Sequence, residues 1–277
     1  MQKLIDVLKE HSSLPEPARW NLCREYLQII VLKSIFGSAM GRDLVFQGGT
    51  CLRLCHNLKR FSEDLDFSRA GQDSHYAFEK LHKGVLTDLH RQGYAVSGNC
   101  AQDKIVQKAF VRVAGLPESF GFSMTKDQKL AIKIEVDVRP PQAGVMETYF
   151  VSKLGELFPV LQYDLPTLFA GKVLAVLFRP YDRGRDYYDL IWFLSRRITG
   201  NMPYLMSGWS QATRNPLPAR TSWKEILLKV KEKVKKVDAS SLLKDLRPFL
   251  EDPADAAWIA KYPDVFEQLL REQPDQG

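Results

Sequence analysis

The fold is decided by residues 48–67, GGTCLRLCHNLKRFSEDLDF. The glycine pair follows an apolar run, residues 44–47, which is typical of a short strand. Four residues of the next segment recur at the spacing of one buried helical face: Cys51, Leu54, Cys55 and Leu58. This stretch therefore predicts a strand, a glycine-rich turn and a helix.

Two acids project together from the segment that follows. Between Phe61 and Phe67 the period changes to two, which predicts a strand with Asp64 and Asp66 on one face. Aspartate is disfavoured in strands, so this local conflict is typical of a functional site. Two adjacent like charges need a positive mediator, and Mg2+ prefers oxygen ligands and keeps positions for water and phosphate. The pattern predicts a Mg2+ site, with Mn2+ as the alternative metal.

The start of the predicted helix has the properties of an anion site. Gly48, Gly49 and Thr50 lie where unpaired backbone N–H groups and the positive end of the helix dipole favour a phosphate. Glycine also lets a ligand approach the backbone closely. The unit is interpreted as a phosphate cradle that faces a metal site.

The ordered combination of G-G-T and R-F-S-E-D-L-D-F resembles the first two motifs of the AbiEii/AbiGii toxin family, a branch of the DNA polymerase beta-like nucleotidyltransferases. The resemblance covers roughly residues 45–194. It implies an α/β (α+β type) nucleotidyltransferase core with a mixed sheet, N-terminal helices and a helical C-terminal region. It also implies Mg2+ binding by Asp64 and Asp66, and nucleotide binding by Gly48, Gly49, Thr50, Arg60 and Ser62.

A third carboxylate is predicted on a later strand. Residues 130–139 alternate strictly, with Lys133, Glu135, Asp137 and Arg139 on the polar face. If this strand lies beside the Asp64/Asp66 strand, Asp137 completes a three-carboxylate metal site, as the third acid does in polymerase beta-like enzymes, and Glu135 is the alternative. A solvated sheet face with cross-strand charge pairs would also explain the pattern.

Lys172 lies among apolar residues on the packing face of a predicted helix that Pro166 opens. A lysine there is costly unless its ammonium meets an anion or reaches solvent along its apolar stem. Lys172 and Ala175 match the third motif of the family. By this resemblance Lys172 contacts the nucleotide phosphates.

The segment R-G-R-D-Y-Y-D-L, residues 183–190, matches the last family motif. The resemblance places Asp186 in the active site, as a base or a metal-adjacent acid, and Arg185 at the nucleotide. Asp189 lies three residues beyond Asp186 and so on the same helical face. An acid in the first helical turn is also favoured by the dipole, which offers a capping role for Asp186 instead.

Composition narrows the class of protein. The 277 residues, with 45% hydrophobic and 26% charged residues, are typical of a soluble globular chain. The division is predicted after residue 160, with a helical region at 161–277 that carries the Lys172 and Asp186 motifs. The N-terminus does not resemble a secretory signal and there is no long apolar run, so a cytoplasmic protein without a membrane span is expected. A net charge of +6 and a pI near 9.0 favour a polyanionic partner.

Three smaller features allow local predictions. Cys51, Cys55 and His56 lack a second pair of metal ligands, so a core role is favoured for both cysteines. Residues 115–129 are interpreted as a loop. The lysines of residues 229–236 form either a solvated helix face or a grip on an RNA backbone.

The function that the resemblance implies is transfer of a nucleoside monophosphate from an NTP to a hydroxyl acceptor. The expected acceptor is the 3′ end of tRNA or another RNA. The chain would be the toxin of a toxin–antitoxin, phage-defence pair, whose cognate antitoxin acts without a stable complex. One alternative keeps the enzyme and changes the acceptor to a protein or a small molecule. Another is a non-catalytic nucleotide-binding module.

Overall fold

The computed structural model describes residues 2–71, 76–116 and 129–273. The chain divides into two compact units. The first comprises Met1–Asn57, Phe61–Arg139 and Thr148–Gln162, and the second comprises Leu58–Arg60, Pro140–Glu147 and Tyr163–Gly277. The chain passes for the last time from the first unit to the second between Gln162 and Tyr163, close to the division expected after residue 160. Two short earlier segments also belong to the second unit.

Helices and a mixed sheet form the first unit. Its helices are α1 (Gln2–Glu10), α2 (Glu16–Gly37), α3 (Gly48–His56) and α4 (Phe78–Arg91). The strands are β1 (Leu44–Gln47), β2 (Asp64–Arg69), β3 (Val96–Ala101), β4 (Val106–Val113), β5 (Leu130–Asp137), β6 (Met146–Lys153) and β7 (Glu156–Tyr163). The described residues form a seven-stranded sheet in the order β3-β4-β5-β2-β1-β7-β6. This confirms the predicted fold class, including the mixed sheet and the N-terminal helices.

Strand β2 occupies the centre of the sheet. It pairs with β1 in antiparallel orientation and with β5 in parallel orientation. Leu65 and Phe67 are buried on one face, and the Phe67 ring lies 5.4 Å from Phe46 and 6.1 Å from Phe36, between ring centroids. Asp64 and Asp66 alternate with these residues and are half-buried. Apolar packing on one face therefore fixes the direction of both carboxylates on the other.

The second unit is built mainly from helices. They are α5 (Leu165–Phe178), α6 (Gly184–Ser195), α7 (Met202–Thr213), α8 (Trp223–Val234), α9 (Ala239–Leu246), α10 (Ala256–Ile259) and α11 (Tyr262–Arg271). Asp164 caps α5 by accepting a hydrogen bond from the Thr167 N–H at 2.9 Å, with Pro166 in the first turn. A capping box of Ser222 and Glu225 opens α8.

Several local predictions have an outcome in the structure. Cys51 and Cys55 are buried, which confirms their core position. In α8, Lys231 pairs with Glu267 at 2.9 Å and Lys235 with Glu232 at 2.7 Å, which favours the solvated helix face. The predicted loop at 115–129 lies almost wholly on residues 117–128, outside the described part of the chain. Across the described residues, every helix is too short or too polar to cross a membrane.

Candidate active site

The N-terminus of α3 lies against the β2 acids. Gly48 has a left-handed backbone with φ of 78°, and a Cβ added there would collide with the Asp66 carboxylate. The register pairs Gln47, the N-cap of α3, with Asp66. Gln47 makes no capping hydrogen bond with its side chain. The first turn of α3 and the Asp66 carboxylate therefore lie next to each other, and the phosphate cradle that faces a metal site stays a prediction.

Thr50 binds the protein with its side chain. The residue is fully buried, and its Oγ1 donates a hydrogen bond to the Asp64 backbone carbonyl at 2.5 Å. This bond ties the first turn of α3 to the strand that carries the acids. Thr50 therefore has a positioning role in the structure, and its predicted contact with a phosphate would have to use the backbone N–H.

The sheet register distinguishes between the two predicted third acids. In the parallel β2–β5 pair, Asp66 lies opposite Glu135, whereas Asp137 lies opposite Ser68. Cross-strand partners point to the same face, so all three acids share a face with Asp64. Glu135 is nevertheless the acid nearest in register to Asp66, and Asp137 lies two pairs further along the ladder. The alternative residue of the sequence prediction is thus the one that the strand pairing brings beside Asp66.

Lys133 supplies positive charge to this group of acids. Its ammonium lies 2.9 Å from Glu135, and it is the register partner of Asp64. Burial opposes a charged lysine, but the hydrogen bond to Glu135 and the charges of Asp64 and Asp66 raise the pKa of Lys133 above its usual value. Burial likewise opposes the charged form of Glu135, yet hydrogen bonds from Lys133 and Lys108 lower its pKa. The site therefore carries alternating charges that hold each other in place.

Asp137 differs from Glu135 in its electrostatic environment. Burial raises the pKa of Asp137, and a hydrogen bond from the Arg139 backbone N–H, at 2.9 Å, opposes that rise only in part. Glu135 is held by two ammonium groups instead, with Lys108 at 3.1 Å. Its charged form is therefore the better stabilised of the two in this structure.

The donor set fits a metal that shares its coordination with a substrate. Two half-buried carboxylates, Asp64 and Asp66, lie on one strand face with a third acid across the ladder. Among residues 2–71, 76–116 and 129–273, no cluster of three or more His, Cys, Asp or Glu side chains has the geometry of a metal site. Mg2+ is commonly held by one or two carboxylates, with water and substrate phosphates completing the octahedron. Asp64 and Asp66 meet that requirement.

A second charged cluster lies in the helical unit. Arg60 donates two hydrogen bonds to Asp189, from Nε and Nη2, both at 2.7 Å. Lys172 lies 2.8 Å from Asp189 and 2.8 Å from Asp186, and Arg179 also contacts Asp186. We call Arg60, Lys172, Arg179, Asp186 and Asp189 the ion network. It has one more cation than it has carboxylates.

Burial makes the ion network strongly coupled. The side chain of Asp189 is fully buried, those of Arg60 and Asp186 are 2% and 7% exposed, and that of Lys172 is 11% exposed. Burial lowers the pKa of Lys172, but Asp186 and Asp189 more than offset this and raise it above its usual value. Burial raises the pKa of Asp186, and the charges of Lys172 and Arg179 outweigh this and lower it. A carboxylate held in this way is a weak base.

The costly position predicted for Lys172 is thus explained by protein carboxylates. Its sequence position left two explanations open, an anion for the ammonium or a path to solvent. The structure supplies the anions, Asp186 and Asp189. The same contacts bring together three residues that the family motifs singled out: Arg60, Lys172 and Asp186. Their predicted nucleotide contacts stay predictions.

Two further predicted residues occupy different surroundings. Arg185 is buried in the helical unit, with its guanidinium carbon 4.3 Å from the centre of the Phe249 ring. Ser62, in the first unit, accepts a hydrogen bond from Gln28 Nε2 at its backbone carbonyl, at 3.1 Å. The described contacts of Arg185 and Ser62 are structural.

Three members of these clusters were not predicted from the sequence: Asp189, Arg179 and Lys133. Asp189 could have been found, because its spacing from Asp186 puts both acids on one helical face. Lys133 could have been found from the alternation of β5, which puts it on the same face as Glu135. Arg179 immediately follows α5 and had no signal of this kind, because its contact with Asp186 depends on how α5 and α6 pack.

Comparison with known proteins identifies a family and a similar fold. The family model described as "Nucleotidyl transferase AbiEii toxin, Type IV TA system" matches residues 30–275. The fold is similar to JHP933 from Helicobacter pylori, with a TM-score of 0.54 and 18% identity over 91% of this chain and 92% of that one. It is also similar to a second H. pylori protein, named as a candidate nucleotidyltransferase, with a TM-score of 0.53 and 18% identity over 92% and 98% of the two chains. No curated protein sequence matches the chain.

Proposed function

The chain belongs to the AbiEii nucleotidyl transferase toxin family of type IV toxin–antitoxin systems, and from this premise we propose that it transfers a nucleoside monophosphate from an NTP to the 3′ end of an RNA, with tRNA as the first candidate. The transfer depends on Mg2+. The observation that supports the proposal best is the contact between the start of α3 and the Asp66 carboxylate. A helix terminus whose N–H groups suit a phosphate lies beside two acids that suit a metal ion, and this neighbourhood supports the proposal.

Each part of the first unit has a separate task in the reaction. The N–H groups of Gly48 and Gly49 bind the leaving phosphates, because they belong to the first turn of α3. Asp64 and Asp66 hold Mg2+, which when bound supplies positive charge between the carboxylates and the phosphates. Thr50 fixes the distance between these parts through its bond to the Asp64 carbonyl.

The bond changes follow from this arrangement. The 3′ hydroxyl oxygen of the acceptor forms a new bond to the α-phosphorus of the NTP. The bond from that phosphorus to the bridging oxygen of the β-phosphate breaks, and pyrophosphate leaves with the electron pair. The hydroxyl proton passes to solvent.

The ion network has a supporting role in this proposal. Its three cations and two carboxylates give it a net positive charge, which suits an anionic ligand. Asp186 keeps the Lys172 ammonium in place through their ion pair. The lowered pKa of Asp186 also makes this acid a poor proton acceptor. Its task is therefore positioning and not general-base catalysis.

The proposal extends to the physiological setting. The family is that of a toxin from type IV toxin–antitoxin systems, which implies an antitoxin partner. We propose that the chain modifies RNA and so slows translation in a phage-infected cell, and that the antitoxin counteracts this without forming a stable complex. The net charge of +6 is compatible with a polyanionic acceptor.

The test is a labelling reaction with the purified protein. It is incubated with Mg2+, each α-labelled NTP in turn and total cellular RNA, beside the variants Asp66→Asn and Asp6→Asn. Asp6→Asn is the matched control, because Asp6 is an exposed acid on α1. We expect label in tRNA with the wild type and with Asp6→Asn, and none with Asp66→Asn.

Two results would contradict the proposal. Labelled RNA that is equally abundant with Asp66→Asn would remove the β2 acids from the reaction. Absence of label from RNA with all four nucleotides would exclude an RNA acceptor and direct the search to proteins or small molecules.

A further inference from the structure

Strand β4 lies next to β5, and its residues are register partners of the β5 residues that lie opposite Asp64 and Asp66. The antiparallel register pairs Lys108 with Glu135, which in turn lies opposite Asp66. It pairs Phe110 with Lys133, which lies opposite Asp64. Since neighbouring strands lie about 4.8 Å apart, Lys108 and Phe110 are about 10 Å from the strand that carries the acids.

Four side chains of β4 face the same side of the sheet as these acids: the apolar Val106, and Lys108, Phe110 and Arg112. Ala109, Val111 and Val113 are buried on the opposite side, and Lys108, Phe110 and Arg112 alternate with them. The Arg112 guanidinium carbon lies 5.0 Å from the centre of the Phe110 ring, and its Nη1 donates to Asn99 Oδ1 at 2.5 Å. The Lys108 side chain is 48% exposed. We call Lys108, Phe110 and Arg112 the β4 platform.

The β4 platform combines the two groups that bind a single strand of nucleic acid. An accessible aromatic ring can stack on a base, and flanking cations can bind the phosphates on either side. Arg112 stacks on Phe110 and is hydrogen-bonded to Asn99, so the platform is ordered before a ligand arrives. Lys108 is held at its β5 side by Glu135, at 3.1 Å.

The two sides of β2 are chemically different. On one side, β1 leads into the start of α3, where the N–H groups suit the triphosphate. On the other side lie β5 and then β4. In an in-line displacement the attacking hydroxyl approaches opposite to the leaving group. An acceptor should therefore reach the acids across β5 and β4.

We propose that the β4 platform binds the unpaired nucleotides at the 3′ end of the RNA acceptor, with one base on Phe110 and the neighbouring phosphates at Lys108 and Arg112. This inference rests on the proposed function, because it assigns that reaction's acceptor to a surface. The distance of two strands, about 10 Å, can be spanned by a few nucleotides of a single strand, so a terminal nucleotide at Asp64 and Asp66 would leave one of the preceding nucleotides within reach of Phe110. The platform selects a single strand, because stacking on a side chain requires a base that is not already paired and stacked.

The experiment measures binding separately from transfer. Fluorescence anisotropy follows a short single-stranded RNA with a blocked 3′ end as it binds the full chain or one of four variants: Phe110→Ala, Lys108→Gln, Arg112→Gln and Lys80→Gln. Lys80→Gln is the matched control, since Lys80 is an exposed lysine of α4. Melting temperatures verify that each variant is folded.

We expect Phe110→Ala to weaken RNA binding by about tenfold, the typical effect of losing one base–aromatic stack. Lys108→Gln and Arg112→Gln should each reduce the dependence of log affinity on log salt by about 0.7, the value for one phosphate contact on a single strand. Lys80→Gln should change neither quantity. A blunt RNA duplex should bind more weakly than the single strand.

Other outcomes would overturn the inference. Folded Phe110→Ala and Lys108→Gln proteins that bind the single strand like the wild type would exclude β4, as would a duplex that binds equally well. If label still enters RNA normally in all three platform variants, the platform fails and the proposed function stands. If the platform binds RNA but the Asp66-dependent labelling is absent, the proposed function fails and the platform stands as a binding surface.

Discussion

Gly48 and Asp66 are in such close contact that the glycine has no room for a Cβ next to the carboxylate. The contact joins the first residue of α3 to the second acid of β2, which are 18 positions apart in the sequence. It requires a positive φ, which Gly48 adopts at 78°. Two separate properties of glycine, its backbone freedom and its lack of a side chain, are therefore used at one position.

Gly48→Ala should for this reason abolish transfer. The collision displaces Asp66, and the positive φ adds about 1–3 kcal/mol of strain. Gly93→Ala is the control, because Gly93 also has a positive φ, of 85°, but an added Cβ there meets no described atom within 4 Å. Both variants should lose stability in urea unfolding, and only Gly48→Ala should lose more than tenfold in labelling rate. Equal labelling by the two variants would show that the Asp66 contact is unimportant.

Asp189→Asn should destabilise the protein severely. It removes the carboxylate that Arg60 and Lys172 share in a fully buried position, and breaking such a buried pair typically costs about 3–5 kcal/mol. Urea unfolding monitored by circular dichroism measures the loss. Glu267→Gln, which breaks the pairs of the exposed Glu267 with Lys231 and Arg271, should cost much less, because solvent screens these charges. Comparable losses in the two variants would contradict the importance given to burial.

The contribution of Asp186 to stability should disappear only in strong acid. Its pKa in the folded protein is below the usual value of 3.8, so its stabilisation is complete above that value and is lost as pH falls through the folded pKa. The difference in unfolding free energy between wild type and Asp186→Asn should therefore be constant from neutral pH to about pH 5 and shrink below about pH 4. A difference that already shrinks between pH 7 and pH 5 would indicate a raised pKa and refute the ion-pair assignment.

Lys133→Gln should increase the affinity of the protein for a divalent cation. The Lys133 ammonium interacts with Asp64 and Asp66, and so competes electrostatically with a metal ion for the same carboxylates. Its removal should tighten Mn2+ binding, measured by titration calorimetry, on the order of tenfold. Lys80→Gln serves again as the charge-matched control. Weaker or unchanged Mn2+ binding by Lys133→Gln would place the metal elsewhere.

Local sequence patterns predicted the face of each acid but not its neighbour across the ladder. The alternation of residues 130–137 correctly put Glu135 and Asp137 on one side of β5. A period of two cannot state how far β5 is shifted along β2, and this shift decides that Glu135 and not Asp137 lies opposite Asp66. The glycine pair was more informative, because its conformational requirement is local.

The ion network could not be predicted from local sequence patterns, for a different reason. Arg60 and Asp189 are 129 residues apart, and no periodicity links them. The sequence did indicate that Lys172 needed an anion, because burial of an ammonium group has a high cost whatever the surrounding fold. It could not identify the anion, which depends on the packing of α5 and α6.

The second unit is made of three separate segments of the chain. This determines when during translation the unit can be completed, and it limits where the protein can be divided. Its three-residue segment Leu58–Arg60 is translated long before Tyr163–Gly277, yet Arg60 is a principal partner of Asp189. The ion network can therefore be completed only after the ribosome has added the helices that follow residue 163. A fragment expressed from residue 163 onward would contain Asp189 without its guanidinium partner, so a separately folding C-terminal half should not be obtained by cutting the chain at that point.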